Sequence, residues 1–143
     1  MGGYLGSYLY QVDEKGRVTL PAAFRRGSDV PAFVLIQAQP DALTLYPEQA
    51  WEEVQARLRK LARTAPRARH HMLALTANAV EVVPDKQGRI LIPDRLREGA
   101  GIGEEAQFIG AIDKIEIWDP ERFSRAVGDP GDDFGDRLAG IFA

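Results

Sequence analysis

The chain of 143 residues contains no cysteine and only two histidines, His70 and His71. The first absence excludes a disulfide framework, thiol redox chemistry and thiolate metal sites. Neighbouring side chains point to different sides of a helix or strand, so the adjacent imidazoles do not make a metal cluster and read as a surface or interface pair. Enzyme signatures are also missing. The glycines of GIGEEA (101–106) follow a helix-like segment and precede a strand-like one, the reverse of a dinucleotide fingerprint, and no serine or threonine sits in a nucleophile elbow. Asp132, Asp133 and Asp136 only weakly imitate a cation site. No run approaches the roughly 20 apolar residues that span a bilayer, and the N-terminus lacks the basic-then-apolar order of an export signal. A cytoplasmic, non-enzymatic protein is expected, with no catalytic residues, metal, cofactor, small-molecule substrate or membrane partner.

What is present is segregated charge. The formal net charge is −3. Residues 1–80 carry ten Lys/Arg against seven Asp/Glu, whereas residues 81–143 carry eight against fourteen. The whole-chain sum is therefore a poor guide to partners. A basic run, Arg57, Arg59, Lys60, Arg63, Arg67 and Arg69, has no acidic residue between Glu53 and Glu81. It reads as the solvated face of a helix or as a set of phosphate contacts.

The chain also repeats itself. A shift of 72 residues lays YQVDEKGRVTLPAAFRR (10–26) over VVPDKQGRILIPDRLRE (82–98), with Asp13/Asp85, Gly16/Gly88, Arg17/Arg89, Pro21/Pro93 and Arg25/Arg97 identical. The same offset matches DALTLY (41–46) to DKIEIW (113–118) and Trp51 to Phe123. Chance does not hold one register that far.

In each copy an apolar, β-branched run ends at Asp-x-x-Gly, with Asp suited to the first position of a type I turn and Gly to the last. RVTLP or RILIP then alternates with period 2, which predicts a hairpin with the turn at its tip. Pro21 and Pro93 fit the first position of short helices closed by Gly27 and Gly99. Two further strands complete each copy, with turns at Pro40-Asp41 and at Asp113. Between the copies, Trp51, Val54, Leu58 and Leu61 form one apolar stripe of an amphipathic helix that ends near Pro66, and a shorter helix follows over 67–75. The fold class is α+β, mainly β. The organisation reads as a first unit over 7–50, a helical linker over 51–78, a second unit over 79–123 and an acidic, flexible tail over 128–143 in which Leu138, Ile141 and Phe142 form a possible docking patch.

The turns DEKGR and DKQGR are the most informative segments. A two-stranded ribbon fits the DNA major groove, and a cationic turn at its end would present donors there. Asp13 and Asp85 stand four residues before Arg17 and Arg89, where a carboxylate can hold a guanidinium extended. The candidate DNA contacts are Lys15, Arg17, Arg25, Lys86 and Arg89, and the candidate organisers of the turns are Asp13, Gly16, Asp85 and Gly88. With the basic half of the chain taken as the side facing DNA, Arg17 is expected to matter more than Arg89.

With YLGSYLYQVDEKGRVTLPAAFR, LTLYPEQAWEEVQARLRKL and DKQGRILIPDRLREGAGIGEEAQFIGAIDKIEIWDPERF, the chain resembles the MraZ family of bacterial transcriptional regulators over about residues 4–127. The duplicated Asp-x-x-x-Arg together with Glu116-Ile117-Trp118 carries the resemblance; Ser7 replaces an acidic residue usual in the family. The resemblance implies two SpoVT-AbrB swapped-hairpin units forming an intrachain pseudo-dimeric β-barrel, assembly into a ring-shaped homo-oligomer, and a place on the nucleoid. It also implies binding of double-stranded promoter DNA through the Asp-x-x-x-Arg loops, commonly at the promoter of its own operon in the division and cell-wall gene cluster, with a repressor role. A ring-shaped protein-interaction scaffold and an antitoxin-like AbrB protein are the alternatives.

Overall fold

Both Asp-x-x-Gly turns form, but the strands they join do not pair with each other. In the computed structural model, which describes residues 3–25, 32–128, 131 and 133–142, β1 (Ser7–Gln11) lies antiparallel to β7 (Glu105–Gly110) of the second repeat, in the register Tyr8 opposite Phe108. β5 (Val80–Val82) in turn lies on β3 (Phe33–Gln39) of the first repeat, Val80 opposite Leu35. β2 (Arg17–Thr19) pairs with β6 (Arg89–Leu91). With β4 (Ala42–Pro47) and β8 (Ile115–Trp118), the result is a six-stranded antiparallel sheet of order β1-β7-β8-β4-β3-β5 and a separate two-stranded ladder. The expected hairpins of β1 with β2 and of β5 with β6 are thus replaced by exchange between repeats. The described ladders make two sheets and close no barrel.

The exchange is two-fold in character. The central pair of the β2–β6 ladder is Val18 with Ile90, and within the β4–β8 ladder Thr44 faces Glu116. In each case a residue meets its own repeat-equivalent, so one pseudo-two-fold axis passes through both ladders. The core follows the same rule. Val18, Leu20, Phe24, Leu43 and Leu45 of the first repeat and Ile90, Ile92, Leu96, Ile115 and Ile117 of the second belong to one buried cluster. The alternation of RVTLP and RILIP is explained by this: Val18, Leu20, Ile90 and Ile92 point into the cluster, and the residues between them point away.

Pro21 and Pro93 sit one position earlier than expected, as the residues preceding a 3-10 turn (Ala22–Phe24) and α3 (Asp94–Gly99). Gly99 lies in the last turn of α3, and the left-handed glycine that ends the segment is Gly101, at φ +71°. Gly27 lies outside the described residues. The linker forms two helices, α1 (Glu48–Ala62) and α2 (Pro66–Ala77), the second with Pro66 in its first turn. α4 (Pro120–Val127) is capped by Asp119, whose carboxylate accepts the Arg122 amide at 3.1 Å. Tyr46 packs at a tilt on Trp51 and Trp118 edge-to-face on Phe123, equivalent aromatic pairs at the sheet-to-helix junctions of the two repeats. Within the acidic tail α5 (Phe134–Phe142) is helical, a regular element the Gly- and Asp-rich composition does not announce.

Candidate nucleic-acid interface

Each turn is braced by a single carboxylate. Asp13 Oδ1 accepts the amides of Lys15 and Arg17, both at 2.9 Å, and Oδ2 accepts the Arg17 Nε at 2.9 Å. Asp85 does the same with the amides of Gln87 and Arg89 at 2.9 Å and the Arg89 Nε at 3.0 Å. The backbone closes both turns, Gly16 N donating to Asp13 O at 3.0 Å and Gly88 N to Asp85 O at 2.9 Å. An exposed ion pair adds little to stability, so the consequence of these contacts is geometric. With Nε tied to the carboxylate, each guanidinium is fixed at one edge and its two Nη groups carry no hydrogen bond among the described residues.

Glycine is required at the turn for two reasons. Gly16 has φ +87°, and a Cβ there would lie 2.6 Å from the carbonyl oxygen of Ile92. The close approach exists because the turn is hydrogen-bonded to the other repeat: Ile92 N donates to Gly16 O at 2.9 Å, and Leu20 N donates to Gly88 O at 2.8 Å. Gly16→Ala is expected to lose at least about 1–3 kcal/mol from the strained backbone alone, plus the cost of moving a backbone carbonyl. Gly103→Ala, which meets nothing within 4 Å, should stay within about 0.5 kcal/mol of the parent. Urea unfolding of the two variants measures the contrast.

The amide of Arg17 donating to Asp13, helped by the Arg17 guanidinium and the Lys15 amide, holds this carboxyl below the usual aspartate range against an opposing contribution from desolvation. At Asp85 the Arg89 amide is again the main cause, with the Gln87 amide and the Arg89 side chain behind it. A depressed carboxyl contributes order to its turn at every pH above the ordinary aspartate value and loses it only as pH falls through the depressed one. Carboxyl-carbon NMR should therefore show both residues titrating below the ordinary aspartate range. Ordinary titration of either would mean that its turn is unbraced in solution.

The β2–β6 ladder brings the two arginines onto one surface. Val18 and Ile90 face inward, so Arg17, Thr19, Arg89 and Leu91 share the outer face, with Arg17 opposite Leu91 and Arg89 opposite Thr19. Arg17 and Arg89 are diagonal neighbours, positions about 7–8 Å apart in such a ladder. Leu91, at the end of β6 and opposite Arg17, is 52% exposed on this face. Lys15 and Lys86 lie exposed in the flanking turns. The two Asp-x-x-x-Arg motifs, separated by 72 residues in sequence, thus form one bipartite surface.

Arg25 is placed differently. Its guanidinium lies against Gly88 in the space a side chain there would fill, so it joins the second turn and not the first. The exchange of strands, not the position of Arg25 in its own repeat, sets its neighbourhood. The same exchange removes the premise for ranking Arg17 above Arg89. Val12 N donates to Glu104 O at 2.8 Å, and the first turn borders a groove of about 720 Å³ lined by Arg97, Glu98, Glu104, Glu105 and Asp119 of the second repeat, while the second turn abuts Arg25 of the first. Each turn thus has side chains of the other repeat beside it. The basic run from Arg57 to Arg69 and the exposed pair His70-His71 lie on the α1–α2 hairpin, outside the ladder and its turns. Among the described residues no group of acidic or histidine side chains could hold a metal ion, and no helix is long and apolar enough to cross a membrane.

A duplicated α+β protein whose repeats exchange strands and jointly display two braced arginines defines the class. Residues 4–73 and 75–129 match the model of the family described as "MraZ protein, putative antitoxin-like". Among similar proteins, the transcriptional regulator MraZ of Herpetosiphon aurantiacus is 40% identical over 96% of this chain and 93% of its own. That of Acetivibrio thermocellus is 38% identical over 88% of this chain and 87% of its own, and that of Cutibacterium acnes 33% identical over 98% of each. The chain belongs to the MraZ family.

Proposed function

We propose that the chain is a sequence-specific, DNA-binding transcriptional regulator, a nucleoid-associated repressor of its own operon in the division and cell-wall gene cluster. The observation that carries this reading is the pair of identically braced arginines on one exposed two-stranded face. Adjacent strands are about 4.8 Å apart, so a two-stranded ribbon with its side chains enters a major groove about 12 Å wide. Free Nη pairs on pre-oriented guanidinium groups suit bidentate contact with guanine edges or phosphates. Lys15 and Lys86 add sequence-independent attraction. The two repeats act as interlocked SpoVT-AbrB units, and the strand exchange supports that assignment. Fluorescence anisotropy with the chain's own upstream DNA, against scrambled DNA of equal length, tests the reading. Equal affinities would remove it.

A ring of copies would present many such faces to repeated promoter boxes and turn later contacts into intramolecular ones. α1 supplies a candidate contact between copies. Trp51, Val54 and Leu58 of its stripe are partly buried, whereas Leu61 is 49% exposed. Leu61→Asp should leave the subunit folded and separate the ring, lowering affinity for multi-box DNA by about 10²–10⁴ while single-box binding changes little. Light scattering alongside titration checks both halves. A monomeric variant that still bound multi-box DNA tightly would exclude avidity.

A further inference from the structure

We propose that the two-fold-related face grips DNA in one orientation, and that Arg25 sets this orientation as a phosphate-binding arginine beside the second turn; the proposal rests on the DNA-binding reading above. The repeats place Arg25 and Arg97 at equivalent positions, yet the two side chains differ in their partners. Arg97 Nη2 is paired with Asp94 at 3.1 Å, three residues before it. The first repeat has Ala22 where the second has Asp94, and Arg25 has no carboxylate partner among the described residues. Its Nε is buried without a hydrogen-bond acceptor.

The Arg25 Nη groups also carry no hydrogen bond among the described residues, so its charge stands unpaired beside two guanidinium groups that the turns hold by Nε alone, and an anion from outside can pair with it. A phosphate oxygen has the charge for this, and the planar arginine fork matches it. The position is one-sided. Arg25 lies against Gly88, whereas the first turn is bordered by a groove that Glu98, Glu104 and Glu105 line together with Arg97, whose charge is paired with Asp94. A symmetric face would accept a duplex equally in either direction. A free arginine at one end and carboxylates at the other make one direction favourable, because the DNA backbone is drawn to the second turn and repelled beside the first.

Ala22→Asp restores in the first repeat the pairing that neutralises Arg97 in the second, without removing Arg25. Arg25→Ala is the control if that variant folds poorly. Because the chain has no cysteine, a single Gly103→Cys, at a position on the first turn's groove where an added side chain meets nothing within 4 Å, carries an iron chelate that cuts DNA near the first turn and leaves Glu98, Glu104 and Glu105 in place. The probe is the shortest duplex of the chain's own upstream sequence that the parent binds. The tethered parent should cut one flank of this duplex at least fivefold more than the other. Ala22→Asp or Arg25→Ala should bring the two flanks within twofold and reduce the slope of log affinity against log salt by about 0.9, the loss of one phosphate contact. Equal cutting by the parent, or an unchanged flank bias and slope in the variants, overturns the proposal. Absence of any binding by the parent overturns the DNA-binding reading itself, which separates the two failures.

Discussion

The double variant Arg17→Ala/Arg89→Ala is expected to lose specific DNA binding while folding like the parent. Both arginines lie on the outer face of the β2–β6 ladder, and the inward Val18 and Ile90 that hold this ladder to the core are untouched. Each bidentate contact to a base pair is worth about 1–3 kcal/mol, or about 5–150-fold. Losing two from one face therefore lowers affinity at least about 30-fold on a single box and further where copies act together. Stability should fall by no more than about 1 kcal/mol per arginine, the range for a partly exposed ion pair such as each makes with its aspartate. The single variants carry separate information. The first turn lies against the acidic groove and the second beside Arg25, so Arg89→Ala should cost at least as much as Arg17→Ala. Anisotropy titrations of the three variants at fixed salt give the comparison, and a double variant that binds as the parent does would take the ladder face out of the interface.

The second large effect concerns folding. Fragments 1–78 and 79–143 should each be unfolded as monomers. The first would lose β7 as the partner of β1 and β6 as the partner of β2, and the second would lose β3 as the partner of β5. Each also contributes only part of a single buried cluster. A unit of about 65–80 residues has little stability to spare even with its core intact. Mixing the two should restore the spectrum of the whole chain, since every exchanged ladder lies between them. Proton–nitrogen correlation spectra of each fragment and of the mixture decide the matter, and good dispersion from either monomeric fragment would contradict a shared core.

Much of the local structure is legible in the sequence. Asp-x-x-Gly specifies its turn through one carboxylate and one left-handed glycine, and the period-2 runs fall on strands with the apolar residues inward. The bracing of Arg17 by Asp13 follows from a spacing of four across a tight turn. Pairing is not legible, because alternation says that Ser7–Gln11 is a strand and says nothing about whether β2 or the distant β7 lies beside it. Only the closure of one core from two repeats settles that choice. The surroundings of the turns depend on the same choice, which is why charge counted along the chain does not rank Arg17 against Arg89. The difference between Arg25 and Arg97 is visible as Ala22 against Asp94, but it gains meaning only when Gly88 is found beneath Arg25. At Gly99 and Gly101 two glycines compete to end one helix, and composition does not rank them.

Hydrogen-exchange mass spectrometry of the whole chain, with and without a duplex of its own upstream sequence, tests the assignment of the interface most directly. The turns and the β2–β6 ladder carry amides whose acceptors are Asp13, Asp85 and each other, so contact with DNA should slow their exchange further. The account predicts new protection concentrated in peptides covering residues 13–20 and 85–92, abolished in Arg17→Ala/Arg89→Ala. Protection confined to the basic run of the α1–α2 hairpin, with residues 13–20 and 85–92 unchanged, would contradict it.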